Sequence, residues 1–339
     1  MSLGKTRRPP VIKKKARELL IRKEIRALSA GERDTFINCV LELKRLGIYD
    51  HYVHAHHQIM IPTVNCGEPR HPEYRNGAHQ GPAFLPWHRA FLLKFEADLR
   101  KIDPSITVPY WDWTLDAVDP LRSPIWSDKW MGGNGDPDDH ELVKDGPFAQ
   151  ANGKWHVEPF PEYGYDVPGL RRTFQTHVTS LPTPEDLGRA MKESFYDLPP
   201  YNADPTVRGF RNVLEGWRTN KADPAVTTDG SQLHNRVHLW IGGHMYWMVS
   251  PSDPVFFLHH CFIDKIWADW QAQKQLDDTR WAPHYAPMEC GPRGHNYYDR
   301  LKPWQVTVEE MMDIKELGYQ YDPTRQLIRS APKSPFEAP

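Results

Sequence analysis

Two groups of histidine in this 339-residue chain have the types and spacing for metal chemistry: His56, His79 and His88 in the first third, and His234, His238 and His260 well beyond the middle. Each group can hold one ion through three neutral imidazoles and no carboxylate. Two such ions close together leave open positions facing each other, where a small molecule can bridge them. His234 and His238 lie one helical turn apart, so a single helix face presents both. In a chain with 17 histidines that pair alone is weak evidence, and the combination carries the signal. His88 and His260 sit among aromatic residues, where an unpartnered imidazole is costly to bury and coordination removes the cost. Imidazole suits zinc, copper, iron and nickel alike. Binuclear hydrolytic sites usually include a bridging Asp or Glu, and none stands at a matching place in these motifs. That favours two copper ions cycling between Cu(I) and Cu(II), with dioxygen as co-substrate.

The elements that must position these histidines are legible in part. Ser29 and Glu32 look like a capping box, after which Phe36, Ile37, Val40, Leu41, Leu43 and Leu46 give an apolar face that runs out at Gly47. That helix is expected to lead directly into Tyr49–His57. A second helix begins near Phe84 after Pro82, with Phe84, His88, Phe91, Phe95 and Leu99 on one face, and Asp103-Pro104 closes it. A third carries His234 and His238 and stops at Gly242-Gly243. The fourth follows Ser252-Asp253-Pro254 and places His260, Ile263, Asp264 and Trp267 on one side. Residues 104–232, rich in Gly, Pro and Trp, read mostly as loop. Four helices offering histidine to one centre would form a bundle with a metal core, so the expected class is mainly α with long loops and little β.

Composition narrows the rest. An apolar fraction of 39%, a charged fraction of 25% and a net charge of -2 speak against disorder and against a nucleic-acid partner. No linker, repeat or compositional shift divides the chain, so one domain over 1–339 is expected. No run of apolar residues is long enough to span a membrane. The basic stretch from Lys5 to Arg26 alternates with apolar residues and is expected to pack along the body rather than bind membrane or nucleic acid. Arg7-Arg8 resembles an export signal, but Pro9-Pro10 follow and no apolar stretch comes after. A cytoplasmic location is therefore expected, with export by a partner left open. Cys39, Cys66, Cys261 and Cys290 form no CxxC pair, which favours free thiols. Nothing in the sequence speaks to oligomeric state.

The motifs resemble a known family. His79-Gln-Gly-Pro-Ala-Phe-Leu-Pro-Trp-His88-Arg89, followed by Glu96, resembles the first copper motif of tyrosinases. Asp253-Pro-Val-Phe-Phe-Leu-His259-His260-Cys-Phe-Ile-Asp264 resembles the second. Pro109–Trp113, Asp145–Phe148, Asp197–Pro200, Leu214–Trp217, Leu233–His238 and Gly318–Asp322 add support. The likeness runs from about residue 22 to 322 and is greatest to bacterial tyrosinases.

The resemblance implies a four-helix bundle around a binuclear copper centre, one copper on His56, His79 and His88 and the other on His234, His238 and His260. His54 and His57 stand beside His56 in a short motif and compete with it. His259 is expected to pack or hydrogen-bond behind its neighbour, its ring leaving the opposite side of the helix. The implied reaction is ortho-hydroxylation of monophenols and oxidation of o-diphenols to o-quinones, the chemistry of melanin formation, with small phenols and catechols as substrates. A phenol of pKa near 10 is only about 0.1% ionised at pH 7, a cost of about 4 kcal/mol that a nearby base lowers. Glu215 and Asn235 match the positions that orient the water proposed to take this proton. A surface carboxylate and a helix spacer are the plainer readings of the same two residues.

Other residues bear on the subtype. Phe256 and Phe257 are expected in the core, one of them supporting a histidine ring. Leu239 stands near the expected entrance and offers nothing to a carboxylate, which implies little preference for tyrosine over tyramine. Gly243–Met248 is bulkier than in bacterial relatives and would narrow the entrance, although packing of Trp247 and Met248 beneath a loop is the simpler reading. Ala78 precedes His79, so the close Cys-x-His cross-linking pattern is absent and Cys66 is a remote substitute. Copper delivery by a separate helper protein is compatible with the sequence but not written in it. The alternatives are an o-aminophenol or catechol oxidase without monophenol hydroxylation, a hemocyanin-like oxygen carrier and, more remotely, a hydrolytic zinc enzyme.

Overall fold

The computed structural model describes residues 18–61, 76–277 and 285–323, so Cys66 and Arg7-Arg8 lie outside the described residues. The capping box forms as expected: Ser29 Oγ accepts from the Glu32 N–H at 3.2 Å and the Glu32 carboxylate from the Ser29 N–H at 2.9 Å, opening α1 (Ala30–Arg45). α1 stops just before Gly47, as expected, and Gly47, at φ +71°, turns the chain directly into a second helix, α2 (Ile48–Met60), which carries Tyr49–His57. α3 (Phe84–Ile102) is capped at Asp103, as its sequence requires.

Residues 104–232 are less loop-like than their composition suggests. They hold α4 (Pro184–Lys192), opened by a Thr183–Asp186 capping box, and α5 (Phe210–Glu215), besides several single 3-10 turns. α6 (Leu233–Ile241) stops at Gly242, at φ +63°. α7 (Val255–Asp277) starts after Asp253, whose Oδ1 accepts from the Val255 N–H at 3.1 Å while the carboxylate grips the buried Arg172 fork at 2.6 and 2.8 Å.

The strands are short: β1 (Leu20–Arg22), β2 (Gly135–Asp136), β3 (Leu142–Val143), β4 (Arg300–Leu301), β5 (Val306–Thr307) and β6 (Tyr319–Tyr321). β2–β3 and β4–β5 are antiparallel, and β1 runs parallel to β6 with Leu20 opposite Tyr319. The protein is thus mainly α, with α2, α3, α6 and α7 around one centre. An aromatic core glues them: Phe257 of α7 stacks on Phe95 at 3.6 Å between centroids and on Phe91 at 5.5 Å, both from α3. Of the basic stretch, residues 5–17 lie outside the described residues, and the described part packs on the body through β1, with Arg22 buried. Cys39, Cys261 and Cys290 are free thiols. No helix among the described residues is long and apolar enough to cross a membrane.

Candidate metal centre

The fold brings the two histidine groups together. Ring nitrogens of His56, His79 and His88 lie within 4.8 Å of one another, and so do those of His234, His238, His259 and His260. His88 and His260 stack at 4.2 Å with 14° between planes, so the groups adjoin across the α3–α7 contact. On α2, Tyr49, Tyr52, Val53 and His56 make the buried face, while His54 is exposed and His57 only half-buried. That i, i+3, i+4, i+7 spacing picks His56 from its neighbours. His88 and His260 face inward from α3 and α7, His234 and His238 from α6, and His79 sits on the loop before α3.

Hydrogen bonds fix which nitrogen is free in four of the six rings. His56 Nδ1 donates to the Met248 carbonyl at 2.7 Å, His88 Nδ1 to the Phe84 carbonyl at 2.8 Å and His238 Nδ1 to the Met245 carbonyl at 2.7 Å. His234 Nδ1 donates to Asn235 Oδ1 at 2.9 Å. A carbonyl oxygen only accepts, so each of these neutral rings carries its proton on Nδ1 and turns an unprotonated Nε2 inward. Nε2 of His56 and of His88 is buried and has no partner. His260 Nε2 lies 3.3 Å from Nε2 of both His234 and His238. Three ring nitrogens converge there, those of His234 and His238 unprotonated, and a bound cation is what such a set accommodates. Burial lowers the pKa of all six, His56 to about 3 and His238 to about 4, and neighbouring imidazoles add to it for every ring but His238, so the rings stay neutral at physiological pH. The donor set fits a pair of copper ions: six imidazoles, no carboxylate among them.

His259 differs from its expected orientation. Its ring does not leave the far side of α7 but stacks on His234 at 5.1 Å and 18°, because the helix turn at 259–260 faces α6 with both residues. The Trp113 indole N–H donates to His259 Nδ1 at 3.2 Å. The proton of this neutral ring therefore sits on Nε2, which withdraws that nitrogen from ligation and leaves His259 a packing partner. Phe256 supports histidine rings as anticipated, stacking on His260 at 4.1 Å, and Phe257 is core.

Glu215 is no surface carboxylate. It is fully buried at the end of α5, its Oε1 accepting from the Gln80 N–H at 2.6 Å and its Oε2 from Arg211 Nη1 at 3.0 Å. Burial raises its pKa against the pull of Arg211. The Trp217 side chain adds to that pull. Asn235 lies on the wall of a cavity of about 270 Å³ that opens onto His56, His79, His234 and His238. Its other walls include Met60, Trp217, Leu239 and Met245–Met248, and no side chain among the described residues that line it is charged. Trp247 is not packed away beneath a loop. It stacks on Tyr163 at 4.8 Å and stays 37% exposed, with Tyr246 beside it at 39%, so both stand at the mouth.

No sequence signal pointed to the carbonyls of Phe84, Met245 and Met248, which orient three rings. None pointed to the Trp113 contact with His259 either, although the Pro109–Trp113 motif stood out.

Comparison with known proteins agrees with this arrangement. The common central domain of tyrosinase matches residues 47–273. The chain is 40% identical over 320 residues to grixazone synthase of Streptomyces griseus, covering 89% of this chain and 99% of that protein. It is 38% identical over 307 residues to a tyrosinase of Streptomyces antibioticus, covering 90% and 100%. A polyphenol oxidase from Thermothelomyces thermophila superposes with a TM-score of 0.64 at 23% identity, over 89% of this chain and 88% of that one. A functional unit of octopus hemocyanin does so with 0.55 at 20% identity, over 89% and 68%. At those identities the two structures speak for a shared fold.

Proposed function

The chain belongs to the tyrosinase family of copper oxidoreductases, and from that premise we propose that it hydroxylates small monophenols ortho to their oxygen and oxidises o-diphenols to o-quinones. His56, His79 and His88 hold one copper, and His234, His238 and His260 the other. The carrying observation is the inward set of imidazole nitrogens, four of them on rings that keep their proton on Nδ1, beside a cavity with no charged side chain among the described residues that line it. The bound copper pair supplies electron exchange with dioxygen. The chain supplies binding and proton handling. Met60, Leu239, Trp217 and Trp247 receive a flat ring and exclude water from it. Glu215, with its raised pKa, and Asn235 hold the water that takes the phenol proton. The quinones released feed pigment chemistry of the melanin type.

Tyramine, tyrosine and a catechol assayed side by side with copper supplied test this reading. In the wild-type protein tyramine is converted with kcat/KM at least equal to that of tyrosine, because no cation among the described residues lining the cavity meets a carboxylate. Asn235→Ala lowers tyramine hydroxylation by on the order of 10²-fold, the scale of a positioned proton acceptor, and leaves catechol oxidation much less changed. Equal loss of both activities removes the assigned role of Asn235. An o-aminophenol or catechol oxidase is the second reading, favoured by Tyr246 and Trp247 crowding the mouth. Tyramine left untouched while catechol turns over would establish it.

A further inference from the structure

His79 is the one histidine of the six outside a helix, and side chains from distant segments hold its loop in place. Asn76 Oδ1 accepts from the N–H of Ala78, at 3.0 Å, and of His79. Glu215 takes the Gln80 N–H, and Gln80 sits at φ +60°, a conformation that needs such an anchor. The Tyr196 hydroxyl donates to the Pro82 carbonyl at 2.6 Å.

His295 joins the two ends. Its Nδ1 accepts from the Ala83 N–H at 3.1 Å, and its Nε2 lies 3.2 Å from the Asn76 carbonyl oxygen. A backbone N–H only donates and a carbonyl only accepts, so the ring is neutral with its proton on Nε2. The opposite tautomer would set proton against proton at Ala83 and lone pair against lone pair at Asn76. Ala83 is also the residue from which α3 springs, and it has no side-chain cap of its own. The ring lies so close to the loop that a Cβ at Gly81 would come within 2.8 Å of its Cε1 and Nδ1. His295 is buried, and the Tyr285 hydroxyl donates to its carbonyl at 2.7 Å.

We propose that His295 is a positioning residue for the first copper site, a neutral latch from the C-terminal part of the chain that sets both the His79 loop and the start of the helix bearing His88. It rests on the reading that His56, His79 and His88 bind copper. It touches no ligand ring and works through the backbone at Asn76 and Ala83. Truncating it therefore disturbs two ligands of one copper and none of the other.

The test compares wild type with His295→Phe, which keeps a ring without hydrogen bonds, His295→Gln, whose amide offers both an acceptor and a donor, and Gly81→Ala, which pushes the ring away. In the metal-free wild-type protein, imidazole nitrogen NMR finds the His295 proton on Nε2 and the Ala83 amide protected from exchange. In His295→Phe and Gly81→Ala, one copper binds as in wild type and the other roughly 10- to 100-fold more weakly, the usual scale for groups that orient ligands. At limiting copper those variants show the electron paramagnetic resonance signal of an isolated Cu(II), which a coupled pair lacks, and His295→Gln suppresses it. Wild-type affinity for both coppers in His295→Phe and Gly81→Ala, or a proton on Nδ1, overturns the latch. Should wild type itself bind fewer than two coppers, the copper reading fails separately, and the metal-free NMR still judges the latch. Should His295→Phe not fold, Gly81→Ala and the NMR decide.

Discussion

Replacing His260 with alanine leaves a folded protein that binds about one copper per chain and makes no quinone. His260 Nε2 is the point on which His234 and His238 converge, at 3.3 Å from each, so its loss opens the second site while the first keeps its three rings. The buried ring also stacks on His88 and Phe256, and removing it leaves a void, but it takes away an unpaired buried nitrogen as well. Catechol oxidation needs both metals and falls by at least about three orders of magnitude, the scale of removing one member of a set that acts as a unit. His259→Ala makes the contrast. That residue spends its Nδ1 on Trp113 and packs on His234, so its loss keeps two coppers and weakens the second by roughly 10- to 100-fold. Metal analysis and quinone formation on the two neighbours decide the assignment. If His259→Ala loses a copper and His260→Ala keeps both, the ligand set is wrong.

The contrast also marks how far the chain is readable without coordinates. Periodicity exposed α3 and α7, because Phe84, His88, Phe91 and Phe95 on one and Phe256, His260 and Ile263 on the other repeat on a buried face that only a helix produces. The same signal lay in α2, where Tyr49, Tyr52, Val53 and His56 single out His56, but three crowded histidines hid it. Gly47 read as a stop and proved also a start, since one left-handed residue suffices to redirect a helix. α5 escaped notice because it is six residues long, fixed by tertiary partners such as Arg211 with Asp197 rather than by its own pattern. Carbonyl partners and His295 are illegible for a deeper reason. They depend on which backbone atoms meet across large sequence separations, and residue type says nothing about that.

Asp264→Asn produces the largest loss of stability expected in this protein. One turn past His260, the Asp264 carboxylate takes Arg89 Nε at 2.5 Å, Arg22 Nη1 at 3.2 Å, the Tyr319 hydroxyl at 2.6 Å and the Tyr321 hydroxyl, all buried. Arg22 also pairs with Glu96 at 3.0 Å, and the two guanidiniums lie 3.8 Å from the rings of Tyr319 and Trp267. Burial works to raise the Asp264 pKa, but Arg89 and Arg22 outweigh it and hold the carboxyl below its usual range. A lowered folded value means the contribution is complete above the unfolded pKa near 4 and fades as pH falls through the folded one, so at pH 7 all of it is at stake. The amide leaves Arg89 without a carboxylate, and stranding a buried charge costs about 3–5 kcal/mol, equivalent to roughly 4–7 °C in Tm for a chain of this size. The cluster ties β1 and β6 to α3 and α7, the helices that stack His88 on His260, so the loss reaches the metal site. Copper binds the folded state alone and recovers part of it by mass action. Thermal denaturation with and without copper reads both effects. A metal-free Tm within a degree or two of wild type would show that this cluster does not hold the two helices together.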